Sequence, residues 1–278
     1  MNTKRRMSST PVLLSYDLGK RITAFSTTRH GGVSQGNYGE FNINKYCGDS
    51  PEAIRENRRR LCDTLCVEPS RLVLPHQVHG KVVRTITEDF FLLPEAERLE
   101  MLEGVDAVMT NVTNACLGVS TADCIPVIIY DAEHHAACAV HAGWRGTVQR
   151  IVRGGVEAMT AAYGSNPQKL CAVIGPGISL ESFEVGDEVY ETFADAGFDM
   201  QRMARRFPPL TTQRSPVIKQ KYHIDLWECN RQQLLDCGLS AEHIQVAGIC
   251  TFQHCDDFFS ARRLGISSGR IFTAFVLK

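Results

Sequence analysis

Short apolar runs rich in valine and isoleucine recur along the chain, at positions 21–28, 72–75, 81–87, 105–110, 116–121, 126–130, 136–141, 170–175, 244–252 and 270–277. Runs of this length and β-branched content predict strands. Five stretches predict helices. The first opens at Ser50, a good N-cap followed by Pro51 and Glu52, and runs to about Cys66. The second, 94–102, is short. The third, 147–163, carries an apolar stripe of Val148, Ile151, Val152, Met159 and Ala162 opposite Arg150, Arg153 and Glu157, with Gly164 at the C-cap position, and so should lie on a sheet. A fourth covers 187–196 before Gly197, and a fifth runs from Asp225, with Glu228 completing a capping box, to Cys237 before Gly238. Strands crowd the first half and do not alternate strictly with helices. That pattern predicts the α+β class with a mixed sheet rather than a doubly wound parallel sheet.

Within 278 residues, 44% are apolar and 22% charged, which is globular composition and far from that of a disordered chain. Basic and acidic residues balance to a net charge of -1, so no global field draws the chain to a nucleic acid polymer or an anionic membrane, and a small-molecule partner is expected. The eleven cysteines are odd in number and too sparse for a disulfide scaffold, which predicts reduced thiols. Lys4, Arg5 and Arg6 precede an apolar stretch running only from Pro11 to Leu14, too short for a signal-peptide core. No run approaches the roughly 20 apolar residues of a membrane helix. A soluble cytoplasmic protein, monomeric or a small homo-oligomer, is the expectation. Two segments stand out by charge. Positions 201–224 hold six basic residues, no acid and three prolines, and read as a long basic loop, while 88–106 hold seven acids against Arg98 and read as a solvated face.

Three segments combine a metal-capable side chain with a strand end and a turn: QVHG from Gln77, TADC from Thr121, and HAGWRG from His141. Singly, His79, Cys124 and His141 have ordinary structural explanations as turn, core and strand-end residues. Together they supply one thiolate and two imidazoles, a set that suits Zn²⁺ and leaves a fourth tetrahedral position for water or substrate. Gly143 and Gly146 flank Trp144 and Arg145 just before a predicted helix, where free amides and the helix end favour an anion. On the first helix Arg58 falls inside the stripe of Ile54, Leu61 and Leu65, where an aliphatic residue is expected, so it is either in a structural ion pair or at an anion site. Asp123 is a proton carrier or a turn former, Asn42 a sugar or phosphate ligand or a turn residue, and Cys250 with His254 and Cys255 a strand-end group before it is a second metal site.

Six ordered motifs, STTRHGGVS from Ser26, QVHG, TADC, HAGWRG, FEVG from Phe183, and Phe258-Phe259-Ser260 with Arg262, resemble the YfiH family, also called the laccase-domain or polyphenol oxidase family, over about residues 22–277. The resemblance implies residues 1–20 as an N-terminal extension and first strand, and 21–278 as one YfiH-type catalytic domain with an αββα sandwich. It implies His79, Cys124 and His141 as zinc ligands, with copper the alternative ion. It further implies phosphorolysis of adenosine, inosine, guanosine and methylthioadenosine to free base and sugar 1-phosphate, with adenosine deamination at the same site. Asn42 and Arg58 follow as substrate or phosphate contacts, Gln77, Arg29 and Arg262 as looser ones, and Asp123, Glu184 and Arg145 as catalytic. Rival readings are a multicopper phenol oxidase, a cysteine hydrolase using Cys124 and His141, an editing amidase acting on peptidoglycan precursors, and a zinc-stabilised binding module. The copper reading needs many histidines in His-x-His pairs, and the chain has nine histidines and no such pair.

Overall fold

A computed structural model describes residues 10–208 and 220–278; Lys4, Arg5 and Arg6 of the terminus and Arg214 and Lys219 of the basic segment lie outside the described residues. Strands β1 (Leu13–Tyr16) and β2 (Ile22–Thr27) lead to helix α1 (Pro51–Leu65), then β3 (Leu72–Val73), β4 (Val83–Thr85), α2 (Glu95–Met101) and β5 (Ala107–Thr110). The centre of the chain is β6 (Cys116–Thr121), β7 (Ile125–Asp131) and β8 (Ala136–Ala142), followed by α3 (Trp144–Val148), α4 (Ile151–Tyr163) and β9 (Cys171–Ile174). Then come β10 (Glu184–Val185), α5 (Asp187–Asp195), α6 (Met200–Met203), β11 (Ala204–Phe207), β12 (Lys221–Ile224), α7 (Leu226–Asp236), β13 (Ile244–Val246), α8 (Ala261–Leu264) and β14 (Ile271–Leu277).

Two large mixed sheets carry the fold. One runs β1-β2-β14-β6-β3 and the other β13-β9-β7-β8-β5-β4, both antiparallel except at their edges, where β3 joins β6, β13 joins β9 and β4 joins β5 in parallel. Their near-continuous apolar runs are explained by burial on both faces. Along β7, Val127 and Ile129 face α4 and α7, while Ile128 and Tyr130 face the other sheet, meeting Leu117, Val119 and Phe275. Phe25, Phe272 and Ala274 turn outward to pack Leu61 of α1. The layers are therefore helix, sheet, sheet, helix, and the α+β expectation holds. Among the described residues no helix is long and apolar enough to cross a membrane.

Several local expectations change. The third predicted helix is two helices, α3 and α4, broken where Arg150 takes φ 62° and lays its guanidinium 3.6 Å from the Phe198 ring centroid. An apolar stripe cannot reveal such a break, because Val148 and Ile151 stay on one face across it. The segment 201–224 is not one basic loop: α6, β11 and β12 occupy its described ends, and β10, β12 and β11 form a small antiparallel sheet. Arg206 in β11 stacks 4.1 Å from the Tyr222 ring and donates to its hydroxyl at 2.6 Å, so charged residues cover the outside of strands whose inner residues, Ala204 and Ile224, are buried. The strand expected at 244–252 ends at Val246. The acidic segment 88–106 is only partly solvated, since Glu88 pairs with Arg71 at 2.8 Å and Asp106 is fully buried.

Helix α1 begins as expected, with Ser50 Oγ accepting from the Ala53 amide at 3.3 Å. Its polar intruder into the core is Asn57 rather than Arg58, which sits at the margin with Nε donating to the Ile43 carbonyl at 2.9 Å. The buried Asn57 amide donates to Ser34 Oγ, the Glu40 carbonyl and the Asn42 carbonyl at 3.0, 3.1 and 2.9 Å, and accepts from the Val33 amide at 2.9 Å. It fastens two loops to α1. Truncating it strands buried partners, so Asn57→Ala is expected to lower stability by about 3 kcal/mol. The denaturant midpoint reads this, and an unchanged midpoint would show that the network contributes nothing.

Candidate metal centre

Three strand ends converge at one rim of the two sheets. The β7–β8 register, with Pro126 opposite His141, places His141 beside the turn that carries Cys124. That turn is sharp: Asp123 adopts φ 85°, in the left-handed region. His79, at φ 62°, lies in the turn after β3. A buried carboxylate joins these pieces. Asp106 accepts from the amides of Val78, His79 and Gly80 at 3.2, 2.9 and 2.8 Å, and Asp106 Oδ1 accepts from His141 Nδ1 at 2.8 Å. The His141 amide also donates to the Asp106 carbonyl at 2.8 Å.

With its Nδ1–H donating a hydrogen bond to Asp106, His141 turns Nε2 toward Cys124 and His79. The ligand atoms of His79, Cys124 and His141 all lie within 4.8 Å of one another. Gly143 makes the room: a Cβ there would sit 2.9 Å from His79 Cδ2 and 3.0 Å from Cys124 Sγ. Burial pushes the Cys124 thiol up, but the charges and hydrogen bonds of His141 and His79 outweigh it and bring it down to about 6. These partners favour the Cys124 thiolate, the form that ligates metal. Burial depresses His141, yet Cys124 and Asp106 raise it to about 9, so a metal binding at Nε2 displaces a proton from it. Burial alone would raise the Asp106 carboxyl; His141 and the amides of Gly80 and Val78 hold it below its ordinary value. One thiolate, two imidazoles and a carboxylate orienting one imidazole form a donor set that fits Zn²⁺ or a similar ion, with protein ligands on one side only.

The cluster borders a cleft of about 260 Å³ whose walls include Tyr46, His76, Gln77, Ser120, Thr121 and Arg270. Gln77 bridges the wall to β6, donating to the Ser120 carbonyl at 2.9 Å and accepting from its amide at 2.7 Å. Tyr46 stacks on His76 at 4.1 Å, and Glu103 holds His76 Nδ1 at 2.7 Å. The hydroxyls of Ser120 and Thr121 are shut off from the cleft and have no hydrogen-bond partner among the described residues.

Of the candidate residues read from sequence, His79, Cys124, His141 and Gln77 meet at the cleft, and the others are placed elsewhere. Asp123 turns its carboxylate away, accepting from Thr251 Oγ1 at 2.7 Å and the Arg262 amide at 2.6 Å. Arg262 in turn donates to the Glu184 carbonyl at 3.2 Å. Arg145 is exposed and stacks on Trp144 at 4.3 Å. Arg29 donates to the carbonyls of Gly39 and Cys255 at 2.8 and 2.6 Å. Asn42 is buried and braces the cleft wall from behind, donating to Asp49 at 2.9 Å and accepting from the Arg270 amide at 3.1 Å. Arg58 lines other cavities, and Cys250 accepts from the Ser179 amide at 3.3 Å away from the cluster. Sequence reasoning missed Asp106. Its signal was an acid between Val105 and Ala107 at the start of an apolar strand, where burial requires partners.

Two substitutions probe this geometry. Asp106→Asn keeps the shape but weakens the hold on His141, and is expected to lower zinc affinity about 10- to 100-fold. Gly143→Ala thrusts a methyl between His79 and Cys124, and is expected to abolish stoichiometric zinc in purified protein whose circular dichroism is unchanged. Chelator competition and elemental analysis measure both, and wild-type affinity in either variant would contradict the assignment.

The chain matches the family described as multi-copper polyphenol oxidoreductase laccase over residues 23–278. It is 45% identical over 273 residues to a purine nucleoside phosphorylase of Bacteroides thetaiotaomicron, covering 98% of this chain and 97% of the relative. It is 38% identical over 257 residues to adenosine deaminase RL5 from an unknown prokaryotic organism, covering 92% of this chain and 94% of that one. The crystal structure of the Bacillus licheniformis hypothetical protein YfiH superimposes with a TM-score of 0.85 at 28% identity, over 97% of each chain. Whole-length likeness on the same fold, around the motifs that carry the cluster, makes this chain a member of the laccase-like YfiH family.

Proposed function

We propose that this chain is a zinc-dependent purine nucleoside enzyme, cleaving adenosine, inosine, guanosine and methylthioadenosine with phosphate to free base and sugar 1-phosphate, and deaminating adenosine to inosine. Whole-length similarity to a purine nucleoside phosphorylase and an adenosine deaminase supports an enzyme of this kind. The observation that carries the reading is the His79–Cys124–His141 cluster opening onto a cleft walled by the Tyr46–His76 stack. Zinc, when bound by these three ligands, supplies Lewis acidity toward an oxygen of phosphate or water.

The chain's own residues do the rest. Asp106 fixes the His141 tautomer, and Gly143 keeps the ligand side chains close. Gln77 stiffens the cleft wall by bonding both backbone groups of Ser120. The Tyr46–His76 stack supplies an aromatic wall for a purine. Arg145, to which the family resemblance gives a catalytic part, is exposed beyond Gly143 and stacked on Trp144 outside the cleft lining. Both Asp123 oxygens accept hydrogen bonds from Thr251 and Arg262, which suits it to holding the Cys124 turn, with Arg262 and Glu184 acting through the same junction. Phosphorolysis at the anomeric carbon and deamination at the purine C6 need two substrate poses, because those atoms lie at opposite ends of the nucleoside. A relay through several coppers has less support: among the described residues this is the only group of three or more metal-capable side chains brought together.

Incubating the zinc-loaded protein with adenosine, with and without phosphate, and separating the products by chromatography tests the proposal. Adenine is expected only with phosphate, and inosine under both conditions. Cys124→Ala should reduce both by at least about 100-fold, the scale of several kcal/mol of metal assistance. Turnover of no nucleoside by folded, zinc-loaded protein would reject it.

A further inference from the structure

A second cavity, of about 330 Å³, backs onto the wall of the cleft. Lys45 lines it where the neighbouring Asn44 and Tyr46 line the cleft, and Leu74 lines it where His76 lines the cleft. Its floor is apolar, with Leu74 and Phe90 buried. Its polar lining is cationic: Lys45, Arg58 and Arg98 face it, against the one carboxylate of Glu95.

These cations are not paired with carboxylates as Arg71 and Arg60 are. Arg71 grips Glu88 with two nitrogens, at 2.8 and 3.0 Å, and Arg60 grips Glu56 at 2.8 Å. By contrast, Lys45, Arg58 and Arg98 enter no ion pair among the described residues. Arg58 spends only Nε, on the Ile43 carbonyl, and its two terminal nitrogens have no hydrogen-bond partner among the described residues. Arg98 spends one terminal nitrogen on the Ser70 carbonyl, and its Nε is buried with no partner. Lys45 has only the Tyr46 ring, 5.2 Å from Nζ. Burial, and then the Arg58 charge, push the Lys45 amine below its ordinary value. Crowded like charges with open donors over an apolar floor are the arrangement an anion completes.

We propose that this cavity binds a phosphoryl dianion, held by Lys45, Arg58 and Arg98, at a site separate from the metal cleft. The dianion is inorganic phosphate or the head of a phosphate monoester whose apolar part rests on Leu74 and Phe90.

Competition with amine acylation, read by peptide mass spectrometry, tests this without reference to turnover. Millimolar inorganic phosphate is expected to slow acylation of Lys45 at least about threefold, the protection given when ligand is about twice Kd, while Lys20, equally exposed but outside the cavity, reacts at an unchanged rate. Arg98→Gln and, separately, Arg58→Gln should abolish the protection while leaving circular dichroism intact, and Cys124→Ala should keep it. The last variant separates this site from the proposed chemistry of the cleft. Phenyl phosphate protecting at about tenfold lower concentration, a gain of about 1.4 kcal/mol, identifies the monoester, and equal protection identifies free phosphate. Unprotected Lys45 with both anions, or protection that survives in Arg98→Gln and Arg58→Gln, would overturn the proposal.

Discussion

The bond between the Asp106 carboxylate and His141, 2.8 Å long and wholly buried, is the interaction on which the site depends. The same carboxylate gathers the amides of Val78, His79 and Gly80, so one acid sets both the orientation of one imidazole and the position of the turn that bears the other. A carboxylate is tolerated in that interior because its oxygens are met by an imidazole and by backbone donors. If the acid were absent, the two histidines would be positioned by unrelated turns, and their approach to Cys124 would be unsupported.

The sandwich makes such a junction rigid. Both sheets are buried on both faces, so β6, β7 and β8 cannot slide without moving side chains in two cores at once. Their ends therefore present Ser120, Thr121, Cys124 and His141 in fixed relation. The two strained residues at the rim, His79 and Asp123, both in the left-handed region, are held there by specific bonds: three turn amides to Asp106 in one case, Thr251 and Arg262 on the Asp123 carboxylate in the other. Local backbone strain of this kind persists where the surroundings over-determine it, as at functional sites.

Much of this could be read from the sequence, for identifiable reasons. Strands buried on both faces are continuous apolar runs, so the central strands and the α+β class were visible, as was the Ser50 cap. The three ligand candidates were visible because each sits at the end of such a run beside a turn. Features governed by non-local partners were not. Asn57 and Arg58 are adjacent on α1, and helical spacing alone put the wrong one at the centre of the core-facing stripe. The strands β11 and β12 were hidden by their charged outer faces, and the break at Arg150 by a stripe that continues across it. In the sequence Asp106 is indistinguishable from the surface acids around it, because a carboxylate is recognisable as a buried anchor only once the amides that converge on it are known. Asn42, Arg29 and Asp123 are all polar residues near the rim, yet hydrogen bonding commits their side chains to loops rather than to the cleft.

The central claim is that Cys124, His79 and His141 grip one ion whose remaining face belongs to substrate. X-ray absorption at the zinc edge of the purified protein measures this most directly. The account predicts one zinc per chain with a single sulfur near 2.3 Å, two imidazole nitrogens near 2.0 Å and one further light-atom ligand that exchanges when phosphate is added. A first shell of two or more sulfurs, or one unchanged in Cys124→Ala, would contradict it.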